Sequence, residues 1–365
     1  MYDSYKSFTL NSADFDNSTF AYSAYSDSED VTPCSQEENK IFDQSFVPAF
    51  YSLLFLAGIL GNGLVMTVLL PNRQKMQSTD IFILHLALAD LLLVATLPFW
   101  AVQTTLGWVF GQVLCKIVAS IFKINFYAGT FLLTCISFDR YLSIVYAVQV
   151  YKRHRMDLVH WSCFIVWCLC FILSIPDAMY YSVSLESRIN MTVCEPFFPI
   201  STSRHWKVAL TFLFHIMGFL LPLVGMLYCY SHIILTLLNS QGFKKQKALR
   251  LIIAVVVAFF LCWSPYNIAA FIDTVKMLQL NSSCDFETKI DIALSVTSGL
   301  CYFHSCLNPV LYAFIGTKFK SNLAEMFSNT RLCPQFVAQY VKRRQPSTRS
   351  STRSDSGDTS LSGVY

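Results

Sequence analysis

Charged residues are scarce in this sequence. Asp, Glu, Lys and Arg make up 14% of its 365 residues, whereas a soluble domain has about 25%. Hydrophobic residues account for 54%, and the mean hydropathy is +0.46. This composition excludes an intrinsically disordered chain and argues against an ordinary water-soluble enzyme.

Two further features are missing. The first residues, MYDSYKSF, contain no positively charged region followed by an apolar core, so we expect no cleavable signal peptide. The chain also shows no internal repeat and no paired broken helices, which argues against a transporter or channel.

Long apolar runs, by contrast, are abundant. A helix needs about 20 apolar residues to cross the hydrocarbon core of a bilayer. Seven stretches are long enough: 47–70, 81–102, 112–138, 158–180, 208–238, 251–272 and 290–315. The sequence therefore predicts an all-α membrane protein, with a seven-transmembrane helix bundle at 47–316 whose first span acts as the insertion signal.

Charges between the spans predict the orientation. Lys and Arg follow spans one, three and five, for example at Arg73, Lys152 and Lys244, and such loops face the cytosol. Residues 1–46 hold nine acidic residues and two lysines, a net charge of −7, and are predicted to be extracellular. Three N-glycosylation sequons fall on segments predicted to lie outside: Asn17, Asn190 and Asn281. We expect a plasma-membrane protein with its carboxyl terminus in the cytoplasm.

Cysteines on the predicted outer side are expected to form disulfides. Of the 13 cysteines, four lie there: Cys34, Cys115, Cys194 and Cys284. Four cysteines allow three pairings, and we favour Cys115 with Cys194 and Cys34 with Cys284. The eight cysteines inside spans are expected to be buried apolar residues. Cys333 is a candidate palmitoylation site.

Polar side chains inside apolar spans need partners, because isolated polar groups are costly in hydrocarbon. Asp90, Asn62, Asn125 and Asn308 can meet near the bilayer midplane when the helices pack. A carboxylate with amide neighbours can hold a small cation, such as sodium at Asp90, Asn125 and Asn308, or a proton. The alternative is a hydrogen-bonded patch that serves only packing.

Prolines interrupt five of the spans. They are Pro98, Pro176, Pro222, Pro265 and Pro309. Each removes a backbone hydrogen bond and permits a kink, so the bundle can rearrange. Aromatic side chains inside spans usually serve packing alone, but Trp263, two positions before Pro265, can act as a hinge side chain at cavity depth.

Three motifs at the ends of spans three, six and seven carry a family resemblance. They are Asp139-Arg140-Tyr141, Cys262-Trp263-Ser264-Pro265 and Asn308-Pro309-Val310-Leu311-Tyr312. In this order, with GNGLV and LALAD, they resemble rhodopsin-like G-protein-coupled receptors. Thr96-Leu97-Pro98, DRYLSIV and the segment HSCLNP, with the second outer cysteine pair, resemble the chemokine receptors over residues 42–320.

The resemblance implies a cell-surface receptor for basic CXC chemokines. Such a receptor activates a heterotrimeric G protein, of the inhibitory type by family analogy, and drives leukocyte chemotaxis. An acidic stretch with two tyrosines, at Tyr22, Tyr25, Asp27, Glu29 and Asp30, would steer a basic ligand, and sulfation would add charge. The alternative for this stretch is a merely solvated acidic tail.

The ligand's flexible end is expected to enter a pocket between the spans. The expected lining is Tyr51, Trp100, Asp177, Tyr266 and Asp273. Many family members carry a Glu at the position of Ser298, where it meets the ligand's amino terminus. The acid is absent here, so Asp177, Asp273 and Asp291 are the candidates to replace it.

Lys123 is a cation in the outer half of span three, where an ammonium needs a carboxylate or cavity water. We hypothesise that Lys123 pairs with Asp177. The alternative is that it extends toward a water-filled pocket without a particular partner. Its neighbour Phe122 occupies the position of the amine-binding Asp of aminergic receptors, which argues against an amine receptor.

At the inner end, the resemblance implies that span six swings outward about Pro265. Arg140 would then meet Tyr230 and Tyr312. Span six begins with Lys245 where some relatives have an acid, so we expect Asp139 to restrain Arg140.

Two segments follow the last span. Residues 317–328 predict an amphipathic helix on the inner leaflet, with Phe319, Leu323, Met326 and Phe327 on one face. Residues 329–365 predict a disordered cytoplasmic tail. Within it, 347–362 contain ten Ser or Thr, which a receptor kinase would phosphorylate for arrestin to bind.

A scavenging receptor and an intramembrane enzyme are the alternatives to a signalling receptor. A chemokine-scavenging receptor that does not signal is the main alternative, and intact Asp139-Arg140-Tyr141 argues for signalling. An intramembrane enzyme would need a nucleophile with its base or a metal cluster. His85, His215 and His304 lie on different spans, so we expect no enzyme.

Overall fold

The computed structural model describes residues 37–71, 76–146, 149–186, 191–197, 203–238, 246–278, 284–315, 319–323 and 326. Within this part of the chain there are nine α-helices of ten residues or more, two π-helical segments and two strands. The helices are α1 (Glu37–Leu69), α2 (Ser78–Val94), α3 (Leu97–Leu106), α4 (Gly111–Tyr141), α5 (Gln149–Tyr180), α6 (Ser203–His215), α7 (Leu221–Leu238), α8 (Gln246–Leu278) and α9 (Cys284–Ile315). The π segments are Leu142–Tyr146 and Ile216–Leu220, and the strands are β1 (Tyr181–Glu186) and β2 (Met191–Pro196).

Seven apolar segments of this bundle are long enough to cross a bilayer. Five are built on α1, α4, α5, α8 and α9, and the other two on the interrupted pairs α2–α3 and α6–α7. The predicted number and order of spans are confirmed. The third span runs to Tyr146 rather than 138, because helical hydrogen bonding continues past the point where the apolar run ends.

The prolines act in two ways. Pro98 stands in the first turn of α3; it has no N–H for the preceding turn, so α2 and α3 are separate. At this junction the Thr96 hydroxyl and the Thr96 amide both donate to the Leu93 carbonyl, at 2.6 and 3.0 Å. Pro222 likewise stands near the start of α7, just after a π segment. Pro176, Pro265 and Pro309 lie inside α5, α8 and α9.

An antiparallel hairpin of β1 and β2 covers one end of the bundle. Its alternation, with Tyr181, Val183 and Leu185 on one face, is a strand signal that the search for apolar helices does not detect. Cys194 on β2 forms a disulfide with Cys115 in the first turns of α4, with the Cα atoms 5.6 Å apart. This confirms the first predicted disulfide, and we refer to this end as the disulfide end.

The hairpin is also held by the turn after α3. The Trp108 amide donates to the Thr192 carbonyl at 2.6 Å. Gly107 has a φ of +79°, and a Cβ there would come within 2.8 Å of the same carbonyl oxygen. The close approach of the turn and β2 therefore requires glycine at this position.

Aromatic rings fill the centre of the bundle. The Phe126 ring lies 4.5 Å from that of Trp263 and 4.3 Å from that of Phe214. Gly218, in the second π segment, lies against Phe126, and a Cβ at Gly218 would collide with the phenyl ring. The absence of a side chain at Gly218 allows the fifth span to approach α4 at the level of Trp263.

Beyond α9, residues 319–323 and 326 are helical and lie within the helix predicted at 317–328. Phe319 is buried in the same apolar core cluster as Phe126 and Trp263, and Leu323 and Met326 pack against that cluster. These three side chains therefore share a face, as their spacing predicts. Phe327 lies outside the described residues.

Candidate functional site

A cavity of about 490 Å³ opens at the disulfide end. Residues from α1, α3, α4, α5, both strands, α6, α8 and α9 contribute to its wall. Seven predicted site residues line it: Tyr51, Trp100, Lys123, Asp177, Tyr266, Asp273 and Ser298. Asp291 is exposed and does not line it, because it lies nearer the start of α9 than Leu294 and Ser295, which do.

The charged groups of the cavity are not arranged as expected. Lys207 forms an ion pair with Asp273, with Nζ 2.9 Å from Oδ2. Lys123 instead lies over the ring of Phe214, with Nζ 3.7 Å from the centroid. Lys123 and Asp177 form no ion pair within 4.0 Å, so the hypothesised direct pair is not formed, although the two charges lie near enough to attract each other. Phe214 was not considered as a partner, although it lies in a predicted span.

Tyr181 adds a hydroxyl to the cavity wall. Burial raises the pKa of Tyr181 above its ordinary value, and the nearby carboxylates of Asp177 and Glu195 raise it further. The hydroxyl therefore stays neutral and can donate a hydrogen bond.

Aromatic rings connect the cavity floor to the core. The Phe122 ring lies 5.3 Å from Trp263, 5.5 Å from Tyr266 and 5.5 Å from Tyr302. Trp263 is fully buried, and its indole N–H has no hydrogen-bond partner among the described residues. Any shift of Phe122 by a molecule in the cavity would therefore reach Trp263, two residues before Pro265.

Below Trp263 lies a buried polar cluster around Asp90. Asn125 and Asn308 donate to its carboxylate at 3.1 and 2.8 Å, so the structure brings these predicted residues together. Two further neighbours were not predicted: Ser305 donates to Oδ1 at 2.9 Å, and His304 Nε2 lies 3.6 Å from the same oxygen. Both precede the Asn308-Pro309 motif by one helical turn, which is the signal that could have found them.

Asn62 joins this cluster indirectly. It donates to the backbone carbonyl of Ser305 at 2.9 Å and does not contact Asp90. The Asn62 amide therefore ties α1 to α9 beside the cluster.

The triplet Asp139-Arg140-Tyr141 at the far end of α4 has a different set of contacts. Asp139 is buried and receives two hydrogen bonds from Arg155, at 2.9 and 2.5 Å, and one from Ser78 at 3.0 Å. Arg140 Nε lies 3.8 Å from the same carboxylate. The expected contact between Asp139 and Arg140 is therefore present. Arg155 was not predicted as a second partner of Asp139, and its contacts are shorter, because α5 runs past the end of α4.

Tyrosines surround this end. Tyr141 and Tyr228 place their hydroxyls 3.4 Å apart, and Tyr230 accepts a hydrogen bond from Ser137 at 2.9 Å. The buried hydroxyl of Tyr312 has no hydrogen-bond partner among the described residues. Tyr312 can therefore accept a new partner without breaking an existing hydrogen bond.

Arg155→Ala is expected to lower the free energy of unfolding by about 2 kcal/mol, because it removes charge-assisted hydrogen bonds from a buried carboxylate. Arg155→Lys should fall between this variant and the wild type, since lysine lacks the planar fork that contacts both oxygens. Thermal unfolding of the purified protein measures the effect. The exposed Arg250→Ala is the matched control, and equal stability of Arg155→Ala and the wild type would contradict the assigned contact.

Several predicted sites lie outside the described residues. They are Asn17, Tyr22, Tyr25, Asp27, Glu29, Asp30, Cys34, Asn190, Asn281 and Cys333. Cys284 begins α9, but its side chain is not among those described. The Cys34–Cys284 disulfide stays a prediction.

The sequence is similar to a known family of membrane receptors. The profile of the seven transmembrane receptor (rhodopsin family) matches residues 61–312. The human C-X-C chemokine receptor type 3 is 48% identical over 335 residues, covering 91% of this chain and 89% of that protein. Its bovine counterpart is 46% identical over 366 residues, covering 96% and 98%.

A second receptor type is also similar. C-X-C chemokine receptor type 4-B of Xenopus laevis is 41% identical over 302 residues, covering 82% of this chain and 83% of that protein. The segments at 46–63, 124–129, 135–145 and 295–300 already resemble the type-three receptor, and the higher identities confirm this. The chain belongs to the rhodopsin family of seven-transmembrane receptors and, within it, to the C-X-C chemokine receptors, which are not enzymes.

Proposed function

We propose that this protein is a plasma-membrane receptor for basic CXC chemokines that activates a heterotrimeric G protein, of the inhibitory type, and directs leukocyte migration. One observation carries the proposal. Phe122 lines the open cavity at the disulfide end and packs against Trp263, Trp263 packs against His304, and His304 Nε2 lies 3.6 Å from the Asp90 carboxylate. A molecule in the cavity can therefore bias packing in the core around Asp90.

In this proposal the disulfide end faces the outside. The acidic amino terminus attracts the basic ligand by its charge of −7, aided by sulfation of Tyr22 and Tyr25, and the Cys34–Cys284 disulfide holds it near α9. The ligand's flexible end then enters the cavity, where Tyr51, Trp100 and Tyr266 offer large apolar faces.

Binding favours one of two arrangements of the bundle and shifts their populations. The α8 helix moves about Pro265, which lies inside it, and Arg140 approaches Tyr230 and Tyr312. The unpartnered hydroxyl of Tyr312 supports this step, because it has a hydrogen bond to gain. The G protein would bind at this inner end.

The decisive test is nucleotide exchange. Purified receptor in lipid nanodiscs, mixed with a panel of basic CXC chemokines, should accelerate GTP-analogue binding by an inhibitory-type G protein. A chemokine that binds without any acceleration would favour the scavenging receptor instead. Migration of transfected leukocytes toward the same chemokine tests the cellular role.

The association rate is expected to depend strongly on salt. Between about 50 and 300 mM salt the Debye length shrinks through about 10 Å, so the rate should fall about tenfold. Replacing Tyr22 and Tyr25 by Phe should also lower the association rate. Tyr5→Phe is the control and should leave the rate unchanged. Surface plasmon resonance with the chemokine measures the rate, and a rate insensitive to both changes would remove the steering role of the amino terminus.

A sodium ion at the Asp90 cluster is proposed as an allosteric modulator. The donor set fits, because Asp90 and Ser305 provide oxygen atoms and the buried Asn125 Oδ1 has no hydrogen-bond partner among the described residues. Hard cations prefer such oxygen ligands. Asp90, Asn125 and Asn308 would hold the ion, which would favour the arrangement that binds agonist less tightly.

Asp90→Asn is expected to abolish the sodium dependence of agonist affinity. In the wild type, replacing potassium by sodium should weaken agonist binding about fivefold or more, because the ion requires the carboxylate. Competition binding at constant ionic strength measures the shift. Asp80→Asn, at the start of the same helix, should keep the dependence, and an Asp90→Asn receptor that kept it would place the ion elsewhere.

The carboxyl-terminal tail completes the proposal. Phosphorylation of the Ser and Thr residues at 347–362 by a receptor kinase would create negative charge for arrestin. Palmitoylation of Cys333 would anchor the tail near the helix at 317–328, which lies on the inner leaflet. The sequons at Asn17, Asn190 and Asn281 would carry the outer glycans.

A further inference from the structure

Lys123 places an ammonium group inside the ligand cavity. No carboxylate of the described residues lies within 4.0 Å of it, although Asp177 attracts it from farther away. The Lys123 Nζ lies 3.7 Å from the centroid of Phe214, and it forms no ion pair within 4.0 Å and no hydrogen bond with the described residues. The ring supports the positive charge, but it accepts none of the hydrogen bonds that the three N–H groups can donate. The ammonium therefore has donors to offer to a molecule in the cavity.

The other charges of the cavity have different roles. Among the described residues, four charged side chains line it: Lys123, Asp177, Lys207 and Asp273. Lys207 and Asp273 neutralise each other at 2.9 Å, and both are partly exposed. Lys123 on α4 and Asp177 on α5 line the same cavity. They attract each other but form no ion pair within 4.0 Å. A ligand that bears one charge of each sign would satisfy both.

We propose that Lys123 binds a carboxylate of the ligand, the side chain of an Asp or Glu in the peptide end that enters the cavity. Asp177 then faces the ligand's amino-terminal ammonium group. This assignment rests on the proposed function, because it takes a peptide end as the occupant. It makes the cavity selective for a peptide with both charges, whereas an acidic cavity would select for positive charge alone.

Peptide binding tests this directly. The probes are fluorescent eight-residue peptide amides with free amino termini, in which one Glu is moved through positions two to five, and the matched Gln peptides. On wild-type receptor in nanodiscs, one Glu peptide should bind at least tenfold more tightly than its Gln counterpart. Lys123→Met should reduce this preference to less than twofold. Lys123→Glu should bind the peptide with Lys in place of that Glu more tightly than the Glu peptide.

Lys116→Met is the matched control, since Lys116 is a lysine of the same helix that donates to the Met179 carbonyl and does not line the cavity. It should keep the preference for Glu. Equal binding of the Glu and Gln peptides, or of all peptides at background level, would overturn the proposal, as would a preference that survives in Lys123→Met. Glutarate is the second arm: displacement of the peptide by glutarate at equal concentration would identify a small free acid, and not the ligand peptide, as the source of the carboxylate.

Thermal unfolding without ligand distinguishes this proposal from a stabilising ion pair between Lys123 and Asp177. In the empty receptor, Lys123→Met should raise the midpoint of thermal unfolding by a few degrees, because it removes a cavity charge that has no counter-charge in contact. A lower midpoint for Lys123→Met, matched by that of Asp177→Asn, would show that each charge needs the other and would overturn the proposal. This measurement does not involve the G protein. A failure of the nucleotide-exchange test can therefore be distinguished from a failure of the role assigned to Lys123.

Discussion

Arg140→Ala is expected to abolish chemokine-stimulated nucleotide exchange while leaving chemokine affinity within about threefold of the wild type. Arg140 is in the last turn of α4, its side chain is only 18% exposed, and it does not line the ligand cavity. Its removal therefore acts on coupling and not on binding. A coupling loss of more than about tenfold corresponds to more than about 1.4 kcal/mol.

Exchange of a labelled GTP analogue on purified G protein, measured beside competition binding, separates the two effects. Arg155→Lys keeps a positive charge beside Asp139 and is the control for general damage to this end. Wild-type exchange by Arg140→Ala would show that another residue transmits the signal. A parallel loss of affinity would show that Arg140 supports the fold of the cavity.

Cys115→Ser is expected to cost about 2–4 kcal/mol of stability, because it opens a loop that spans 79 positions of the chain. The hairpin would then be held at this end mainly by hydrogen bonds such as Trp108 to Thr192. Because β1 contributes Tyr181 to the cavity wall, ligand binding should be lost as well. Thermal unfolding and surface expression measure the two effects.

Cys170→Ser provides the matched control, since Cys170 is a buried cysteine with a free thiol. Cys170→Ser should change the free energy of unfolding by less than about 1 kcal/mol, because the thiol it replaces is only a weak hydrogen-bond donor. Full surface expression and wild-type ligand affinity of Cys115→Ser would mean that the hairpin docks without the disulfide. Cys34→Ser, by contrast, should weaken ligand binding and leave expression largely intact.

The membrane-spanning architecture could be predicted from the sequence because it depends on a local quantity. A helix must carry about 20 apolar residues to replace water by lipid around its backbone, and each of the seven runs meets this condition within its own segment. The approach of Asn125 and Asn308 to Asp90 follows from the same physics, since a carboxylate inside a span needs hydrogen-bond donors from its neighbours.

The tertiary structure decided which partner each long charged side chain takes. Lys207 pairs with Asp273 on α8, and Arg155 reaches Asp139 on α4. Lys123 lies over Phe214 and forms no ion pair within 4.0 Å with Asp177. Lysine and arginine have several rotatable bonds, so the choice among acceptors is set by helix rotation and the kinks at proline. Those quantities depend on packing between segments far apart in the chain, and apolar periodicity within one segment does not encode them.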